Sequence, residues 1–334
     1  MSAIEIYFCP GTLAEGFNSY SPACLKNLFN GKKVSHLLPF DPPEKDDAVA
    51  EMFIENRKHI SISGIQEKVS MVLEKNQLRL TEERKQGTYI LKPVPRDLKN
   101  VDQIPANEHL TMQIARQVYG IRTAENAMIF FRDGSPAYLT KRLDIRSDNC
   151  KWGIEDFASL SGRSVDNEGP DFKYHSSYEE IGLIIHQFVP AWRIEIERYF
   201  ALVIFNYIFS NGDAHLKNFS LLETRDGDYI LSPAYDLINT RIHLNDADFA
   251  LESGLFKDDY KSDQFKKSGH ANMADFYEFG FRIGIPDQRI KNLMEPFKKR
   301  QKKVERLIER SFLNESTKEA YHLMYNTRRN FLIS

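Results

Sequence analysis

One stretch in the second half of the chain constrains the fold more than any other. Residues 205–237 read FNYIFSNGDAHLKNFSLLETRDGDYILSPAYDL. Two apolar runs flank the Asp-Gly pair at 226–227, and this pattern predicts a β-hairpin. The hairpin would fold Asp236 back beside Asn218, which follows Asp213 by five residues. The sequence therefore predicts a corner rich in oxygen ligands for a hard cation, with a separate carboxylate close by.

The same residues also have a plain structural explanation. Asn, Asp and Gly are common in surface turns, and an isolated Asp and Asn five residues apart often occur by chance. Two features favour a catalytic interpretation: the order of the three polar side chains, and the apolar stretch 194–209 before them, which predicts a buried helix. Protein kinases share this order, with a proton-accepting Asp, a metal-binding Asn, a hairpin and a metal-binding Asp. We therefore predict phosphoryl transfer.

Composition limits the class of protein. At 334 residues, with 42% hydrophobic and 28% charged residues, the chain is typical of a globular protein with one large core or two lobes. A net charge of −2 argues against a protein that coats nucleic acid. No apolar run reaches the roughly 18 residues of a membrane span, and the N-terminus lacks a secretion signal. We expect a cytoplasmic protein without membrane contact, whose Cys9, Cys24 and Cys150 are reduced thiols that mostly serve packing.

A possible phosphate-binding loop lies upstream, where residues 61–68 read SISGIQEK before an alternating apolar strand. Small and hydroxyl residues such as Ser61, Ser63 and Gly64 let backbone N–H groups approach a phosphate, and Lys68 would add a positive charge. A single glycine is weak evidence for such a loop. The interpretation gains weight because the next strand but one carries a lysine.

That lysine is Lys92, within the β-run 88–93. Ile90 and Lys92 share one face of a strand, so the ammonium group would project from an apolar wall and need an anionic partner. A nucleotide phosphate is one such partner, and an edge-strand lysine solvated by water is the alternative. Glu108 opens a predicted amphipathic helix that ends at Gly120. Glu108 either favours the positive end of this helix or orients Lys92, and the sequence leaves both open.

The pattern of strands and helices predicts an α+β fold with two lobes, a small β-rich lobe and a larger, mainly helical one, as in protein kinases. The expected division is a wrapping segment at 1–48, a nucleotide-binding small lobe with the serine-rich loop at 49–142, and a helical catalytic lobe at 143–334. A hairpin about the Asp-Gly pair at 133–134 leads to a hinge at 141–144.

A basic run, KKRQKK at 298–303, lies near the end of the chain. We predict a solvated helix face for this run, and contact with DNA or with a protein partner is the alternative.

Several ordered motifs resemble those of the HipA-type serine/threonine kinases, the toxins of bacterial toxin-antitoxin systems. These motifs are SISGIQEK, YILKP, NEHLTMQIAR, KRLD, SNGDAHLKN and SPAYDL, and they span roughly residues 61–239. The chain is shorter before the serine-rich loop than full-length HipA, which suggests that a small N-terminal subdomain is missing. Together with the two serines of SISG, this is similar to HipT, the kinase of the three-component HipBST systems, in which a separate small protein resembles that subdomain.

The resemblance implies a role for each matching residue of the catalytic centre. Asp213 would be the general base, and Asn218 and Asp236 would hold Mg2+. Lys92 would contact the ATP phosphates, and Glu108 would correspond to the glutamate that orients this lysine in protein kinases.

Further nucleotide contacts are implied at the hinge and in the catalytic loop. Lys141 and Leu143 would present hinge backbone to adenine, although HipA has Glu and Phe at these positions, so contacts through the side chains would differ. His215 and Lys217 would lie near phosphate or ribose oxygens.

The resemblance also implies regulation, a substrate class and partners. Autophosphorylation of Ser61, Ser63 or both would disable nucleotide binding, because a phosphate adds about −1.5 to −2 charges where the ATP phosphates must bind. The substrate would be an aminoacyl-tRNA synthetase, glutamyl for HipA-type and tryptophanyl for HipT-type members. A HipB-like helix-turn-helix antitoxin would connect the kinase to operator DNA, and a HipS-like small protein would bind where the missing subdomain would pack.

Two other functions fit parts of the sequence. One is a kinase-shaped, non-catalytic subunit of a repressor complex, against which the intact Asp213, Asn218, Asp236 and Lys92 argue. The other is a small-molecule phosphotransferase, which would share the Asp and Asn spacing but is disfavoured by the SISGIQEK motif.

Overall fold

The structure is a computed structural model, and it describes residues 5–42, 67–82, 86–95, 100–146 and 150–334. The predicted loop residues Ser61, Ser63 and Gly64 lie outside the described residues. Within the described ranges, strands and helices form a mixed α+β fold, as the sequence predicts.

The first region is built on a five-stranded antiparallel sheet with the order β2-β1-β3-β5-β4. Its strands are β1 (Val69–Glu74), β2 (Gln77–Leu80), β3 (Tyr89–Pro93), β4 (Asn126–Phe130) and β5 (Pro136–Lys141). Strand β3 pairs with β1 on one side and β5 on the other. Lys92 therefore lies on a central strand, so the alternative of a solvated edge-strand lysine is wrong.

Side chains alternate between the two faces of this sheet, and each face is covered by a different helix. Ala127 and Leu139 pack with the N-terminal segment and helix α1 (Pro22–Phe29). Met128 and Tyr138 belong to the core on the opposite side, which helix α2 (Ile104–Tyr119) shares. The free thiols Cys9 and Cys24 are buried in the first of these cores, in keeping with a packing role, whereas Cys150 is exposed.

Helix α2 begins earlier than the sequence predicts. Its first residue is Ile104, with Pro105 in the first turn, where a missing N–H and a fixed φ favour helix initiation. A 3-10 turn at Val101–Gln103 precedes it. Gly120 ends the helix in the left-handed region, with φ 65°, as expected. Glu108 is therefore beyond the first turn, so a role at the positive helix end is not supported by its position.

The second region contains a smaller sheet with the order β6-β7-β8, formed by β6 (Ile154–Asp156), β7 (Ser220–Glu223) and β8 (Tyr229–Leu231). Strands β7 and β8 are antiparallel, with Leu222 opposite Ile230. Gly227 adopts φ 80° in the turn between them, a conformation that favours glycine. The predicted hairpin is confirmed.

Helices make up most of this second region. They are α3 (Phe157–Leu160), α4 (Val165–Glu168), α5 (Tyr178–Phe188), α6 (Trp192–Ile208), α7 (Asp263–Ser268), α8 (Met273–Arg282), α9 (Asp287–Lys298), α10 (Lys302–Arg310) and α11 (Glu315–Ile333). Helix α6 is the predicted buried helix, with Phe200 and Phe205 inaccessible to solvent, and it packs against α5, α9, α11 and β8. It ends just before Ser210, which adopts φ 52° and turns the chain toward Asp213.

The basic run 298–303 is largely exposed, as predicted, but it does not form one helix face, and that part of the prediction is wrong. Lys298 ends α9 and Lys302 begins α10, and Lys299 between them has an extended backbone. Glu295 pairs with Lys298 and Lys299, at 3.0 and 3.2 Å. Glu305 likewise pairs with Arg300, so part of the positive charge of the run is balanced by neighbouring carboxylates.

In the described part of the chain, no helix is both long and apolar enough to cross a bilayer.

Candidate active site

A cleft of about 750 Å3 lies between the five-stranded sheet and the helical region. Eight of the residues that the sequence nominates line it: Lys68, Lys92, Lys141, Leu143, His215, Lys217, Asn218 and Asp236. Glu108 and Asp213 lie behind the lining, each in contact with a lining side chain. The structure thus brings together nominated residues that are up to 168 positions apart in the sequence.

Lys92 is the centre of a buried charge cluster. Its Nζ lies 2.6 Å from Oε1 of Glu108 and 2.6 Å from Oδ1 of Asp236. Lys92 and Glu108 are only 2% and 1% exposed, so the ion pair between them is shielded from water, whereas the Asp236 side chain is partly exposed. Of the two roles that the sequence leaves open for Glu108, the contact favours the orientation of Lys92.

Burial and ion pairing oppose each other in this cluster. Burial raises the pKa of Glu108 to about 7, with the Lys92 ammonium acting in the opposite direction. Burial lowers the pKa of Lys92, but the carboxylates of Asp236 and Glu108 outweigh it and hold that pKa above its usual range. Burial also raises the pKa of Asp236, and the ammonium groups of Lys68 and Lys92 outweigh it and hold the pKa well below normal. Lys92 and Asp236 are therefore charged at neutral pH.

Asp236 reaches this cluster because the chain beyond β8 is tied to the link before β4. The Ala234 N–H donates to the Arg122 carbonyl at 2.8 Å, and the Ala234 carbonyl accepts from Ala124 at 2.9 Å. Asp236 then adopts φ 55°, a conformation that costs about 1 kcal/mol or more for a residue other than glycine. Its Oδ2 lies 3.0 Å from Nζ of Lys68. The two ion pairs of the Asp236 side chain thus help to stabilise its strained backbone conformation.

Asn218 lines the same cleft as Asp236. Asn218 ends the 3-10 turn Leu216–Asn218, and its Nδ2 donates to the Asp213 carbonyl at 2.8 Å. That hydrogen bond fixes the amide so that Oδ1 is its remaining side-chain acceptor. An amide oxygen and a carboxylate are ligands that suit Mg2+, which commonly takes one or two protein ligands together with substrate phosphates. The donor set fits the metal, although Asp236 is shared here with Lys68 and Lys92.

His215 is a buried, neutral part of the cleft wall. Burial, followed by the Lys173 charge, lowers its pKa to about 3. Its Nε2 lies 3.8 Å from Oδ1 of Asp213, beyond hydrogen-bond distance, and its Nδ1 has no hydrogen-bond partner within the described chain. The neutral imidazole therefore contributes to the cleft wall without adding a charge.

The remaining nominated residues lie at the rim of the cleft. The Lys141 N–H donates to the Glu125 carbonyl at 2.8 Å, and its Nζ donates to Asn30 at 2.9 Å. The Lys141 N–H is therefore engaged within the protein, and the expectation that Lys141 presents hinge backbone to a base stays a prediction, for its carbonyl group. Leu143 lines the cleft, and Lys217 is half exposed, 3.9 Å from the Asp156 carboxylate.

Among the cleft residues that sequence reasoning missed are Lys173 and Tyr174. Both line the cleft, and the Tyr174 hydroxyl donates to Oδ1 of Asp213 at 3.1 Å. They belong to a 3-10 turn, Phe172–Tyr174, in a segment without a recognisable motif. Only the fold brings this segment beside residues 213–218, so no local signal could have identified it.

Packing from both sides fixes the catalytic loop. The Thr240 hydroxyl donates to the Ser210 carbonyl at 3.1 Å and accepts from the Gly212 N–H at 2.9 Å. A Cβ at Gly212 would lie 2.7 Å from the Asp246 side chain, so this position requires glycine unless the neighbouring loop moves. The position of Asp213 is therefore coupled to the segment that follows Asp236.

Comparison with known proteins assigns the chain to a family. The model of the HipA-like C-terminal domain matches residues 60–305. A Haemophilus influenzae protein named "putative kinase" is 26% identical over 327 residues, which cover 94% of this chain and 92% of that protein. The Sinorhizobium fredii "putative kinase Y4dM" is 29% identical over 224 residues, or 63% of this chain and 52% of that protein.

Solved structures show the same fold at low sequence identity. HipA of the Shewanella oneidensis toxin-antitoxin system, in complex with HipB and operator DNA, superposes with a TM-score of 0.63 at 20% identity. The match covers 82% of this chain and 65% of that one. The Helicobacter pylori proinflammatory kinase CtkA gives a TM-score of 0.51 at 16% identity, over 78% of this chain and 93% of that one. With the family match over residues 60–305, the chain belongs to the family of the HipA-like C-terminal domain.

Proposed function

We propose that this protein is an ATP-dependent serine/threonine protein kinase that acts as the toxin of a bacterial toxin-antitoxin system. One observation carries the proposal: Lys92 lies 2.6 Å from both Glu108 and Asp236, in a cleft that Asn218 also lines. A buried lysine held by a helix glutamate, beside an Asp and an Asn, is the arrangement that phosphoryl transfer in protein kinases requires.

Each residue has a chemical task in this proposal. Lys92, kept charged by its two carboxylates, neutralises the nucleotide phosphates, and Glu108 fixes its direction. Asp213 orients the acceptor hydroxyl and takes its proton. His215 and Lys217 contact phosphate or ribose oxygens from the catalytic loop, and the backbone at Leu143 faces the base.

A divalent cation would be held by Asn218 and Asp236. Bound there, Mg2+ would neutralise charge on the phosphates and help to orient them. Each oxygen of Asp236 already contacts one ammonium group, Oδ1 that of Lys92 and Oδ2 that of Lys68, so a cation would share these oxygens with the lysines or replace one of them.

The finer assignment rests on the sequence motifs. We assign the chain to the HipT type of HipBST systems, with the tryptophanyl- or glutamyl-tRNA synthetase as substrate. A HipB-like antitoxin, acting on operator DNA, and a HipS-like small protein are the proposed partners, and the cytoplasm is the proposed location. Autophosphorylation at Ser61 or Ser63 would regulate the enzyme. The proposed division at residues 48 and 142 separates the wrapping segment, the small lobe and the catalytic lobe.

The test is a transfer assay with purified protein, γ-labelled ATP, Mg2+ and a panel of aminoacyl-tRNA synthetases and small alcohols, with and without EDTA. The matched variants are Asp236→Asn, in the proposed metal site, and Asp228→Asn, in the hairpin away from the cleft. Magnesium-dependent label on one synthetase, lost only in Asp236→Asn, is the expected result. Label on small alcohols instead would indicate a small-molecule phosphotransferase. No label from unphosphorylated protein would indicate a non-catalytic subunit.

A further inference from the structure

Tyr174 connects the wall of the cleft with the proposed catalytic base. Its hydroxyl donates a hydrogen bond of 3.1 Å to Oδ1 of Asp213. Its ring stands edge-on to the His215 imidazole, with 5.3 Å between the ring centres. We infer that Tyr174 is a positioning residue, which fixes the plane of the Asp213 carboxylate for proton abstraction from the acceptor hydroxyl. This inference rests on the kinase function proposed above.

The backbone that carries Tyr174 is itself held in place. The Tyr174 carbonyl accepts from the Glu252 N–H at 3.0 Å, and its N–H donates to the Asp171 carbonyl at 2.8 Å. Next to it, the His175 ring lies between two carboxylates, 3.2 Å from Glu168 and 3.6 Å from Glu252. The hydroxyl of Tyr174 is therefore directed by the protein and does not depend on a bound substrate.

An aspartate needs such a constraint because its carboxylate rotates easily. The terminal torsion of Asp has broad energy wells, so an unconstrained carboxylate samples many orientations. A general base must lie within about 2.6–3.2 Å of the oxygen whose proton it takes, with suitable alignment. A hydrogen bond to one oxygen fixes the directions of both. His215 does not supply this bond, since its Nε2 is 3.8 Å from Oδ1 of Asp213.

The test removes one hydroxyl. Tyr174→Phe keeps the ring against His215 and deletes the donor. Tyr199→Phe is the matched control: its buried hydroxyl donates to the Tyr178 carbonyl at 2.8 Å, inside the helical core. For each protein, formation of ADP from Mg-ATP gives kcat and the KM for ATP, labelled ATP reports transfer to protein, and thermal unfolding gives Tm.

Tyr174→Phe should lower kcat roughly tenfold, the usual weight of a hydrogen bond to a charged group, with the KM for ATP and the Tm unchanged. Tyr199→Phe should lower the Tm and leave kcat unchanged. The inference is overturned if kcat of Tyr174→Phe equals or exceeds that of the wild type, or if its loss follows a higher KM or a lower Tm. If the wild type forms neither ADP nor labelled protein, the kinase proposal fails together with this inference. Normal wild-type transfer with an unaffected Tyr174→Phe removes the inference alone.

Discussion

Lys92 lies between the buried carboxylate of Glu108 and the partly exposed carboxylate of Asp236, and its removal leaves both with less compensation. Taking one partner from a buried ion pair usually costs several kcal/mol, because the remaining charge stays in a medium of low polarity. Asp236 would retain Lys68, at 3.0 Å. Glu108 contacts Lys92 at 2.6 Å and is 1% exposed, so it would bear most of the cost.

We therefore expect Lys92→Met to lower the free energy of unfolding by about 3 kcal/mol at pH 8, as measured by urea denaturation. The loss should be smaller at pH 6. Burial raises the pKa of Glu108 to about 7 in the wild type although the Lys92 ammonium lowers it, so removal of Lys92 should raise this pKa further. A carboxyl group whose pKa is higher in the folded than in the unfolded chain loses stability as the pH rises, and in the variant this loss continues to a higher pH than in the wild type.

The double variant Lys92→Met/Glu108→Gln is the control for this prediction. It has no buried charge at position 108, so part of the stability should return and the dependence on pH between 6 and 8 should disappear. Equal losses at both pH values in the single variant would contradict this account of the cluster.

His109 provides a second test at the scale of one residue. It is fully buried, and burial lowers its pKa to about 4. The unfolded chain, with a His pKa near 6.5, binds the proton first on acidification. Stability should therefore be complete above pH 6.5 and fall toward pH 4, by up to about 1.4 kcal/mol per pH unit. His109→Gln should show a shallower slope over this window in urea titrations. An identical slope in the variant and in the wild type would mean that His109 does not contribute to the pH dependence of stability.

The Asn107 side chain joins helix α2 to the segment after Asp236. Its Nδ2 donates to the Asn239 carbonyl at 2.8 Å and its Oδ1 accepts from the Asn239 N–H at 3.1 Å. The Nδ2 also lies 2.9 Å from Nε2 of His243. Asn107 directly precedes Glu108 on the helix, and Asn239 lies three residues after Asp236. The contact between Asn107 and Asn239 therefore connects the two parts of the chain whose carboxylates contact Lys92.

Asn107→Ala should cost about 2–4 kcal/mol, since it leaves buried backbone groups of Asn239 without partners. Hydrogen exchange should report faster opening of residues 236–243, while exchange in α6 stays unchanged. Thr317→Ala, at another buried polar side chain of the helical region, serves as a control for general destabilisation. Protection of 236–243 at the wild-type level would show that Asn107 is not the link.

At the scale of elements, sequence patterns correctly predicted the features that depend on interactions between residues close together in the chain. The β7–β8 hairpin, the buried helix α6 and the end of α2 at Gly120 were predicted because turn residues, apolar runs and a glycine C-cap act within a few residues. The start of α2 and the break between α9 and α10 were mispredicted, since helix ends depend on capping and on packing. Strand order and the turn that carries Tyr174 depend on contacts across the fold.

At the scale of the whole molecule, the site exists only where the two regions meet. The order of Asp213, Asn218 and Asp236 indicated the chemistry. The ion pair between Lys68 and Asp236, however, joins residues 168 positions apart, and no sequence pattern predicts it. The same holds for Tyr174, 39 residues before Asp213. The sequence could therefore nominate the polar residues of the cleft, whereas their mutual contacts required the folded chain.

The central claim is that this cleft transfers a phosphoryl group with Asp213 as the base. The most direct measurement compares transfer of label from γ-labelled ATP to protein by the wild type, Asp213→Asn and Asp226→Asn, the last at the exposed turn of the hairpin. The account predicts that Asp226→Asn behaves as the wild type and that Asp213→Asn is slower by roughly 10^2 to 10^4, with its nucleotide affinity retained. Transfer by Asp213→Asn at the wild-type rate would contradict it.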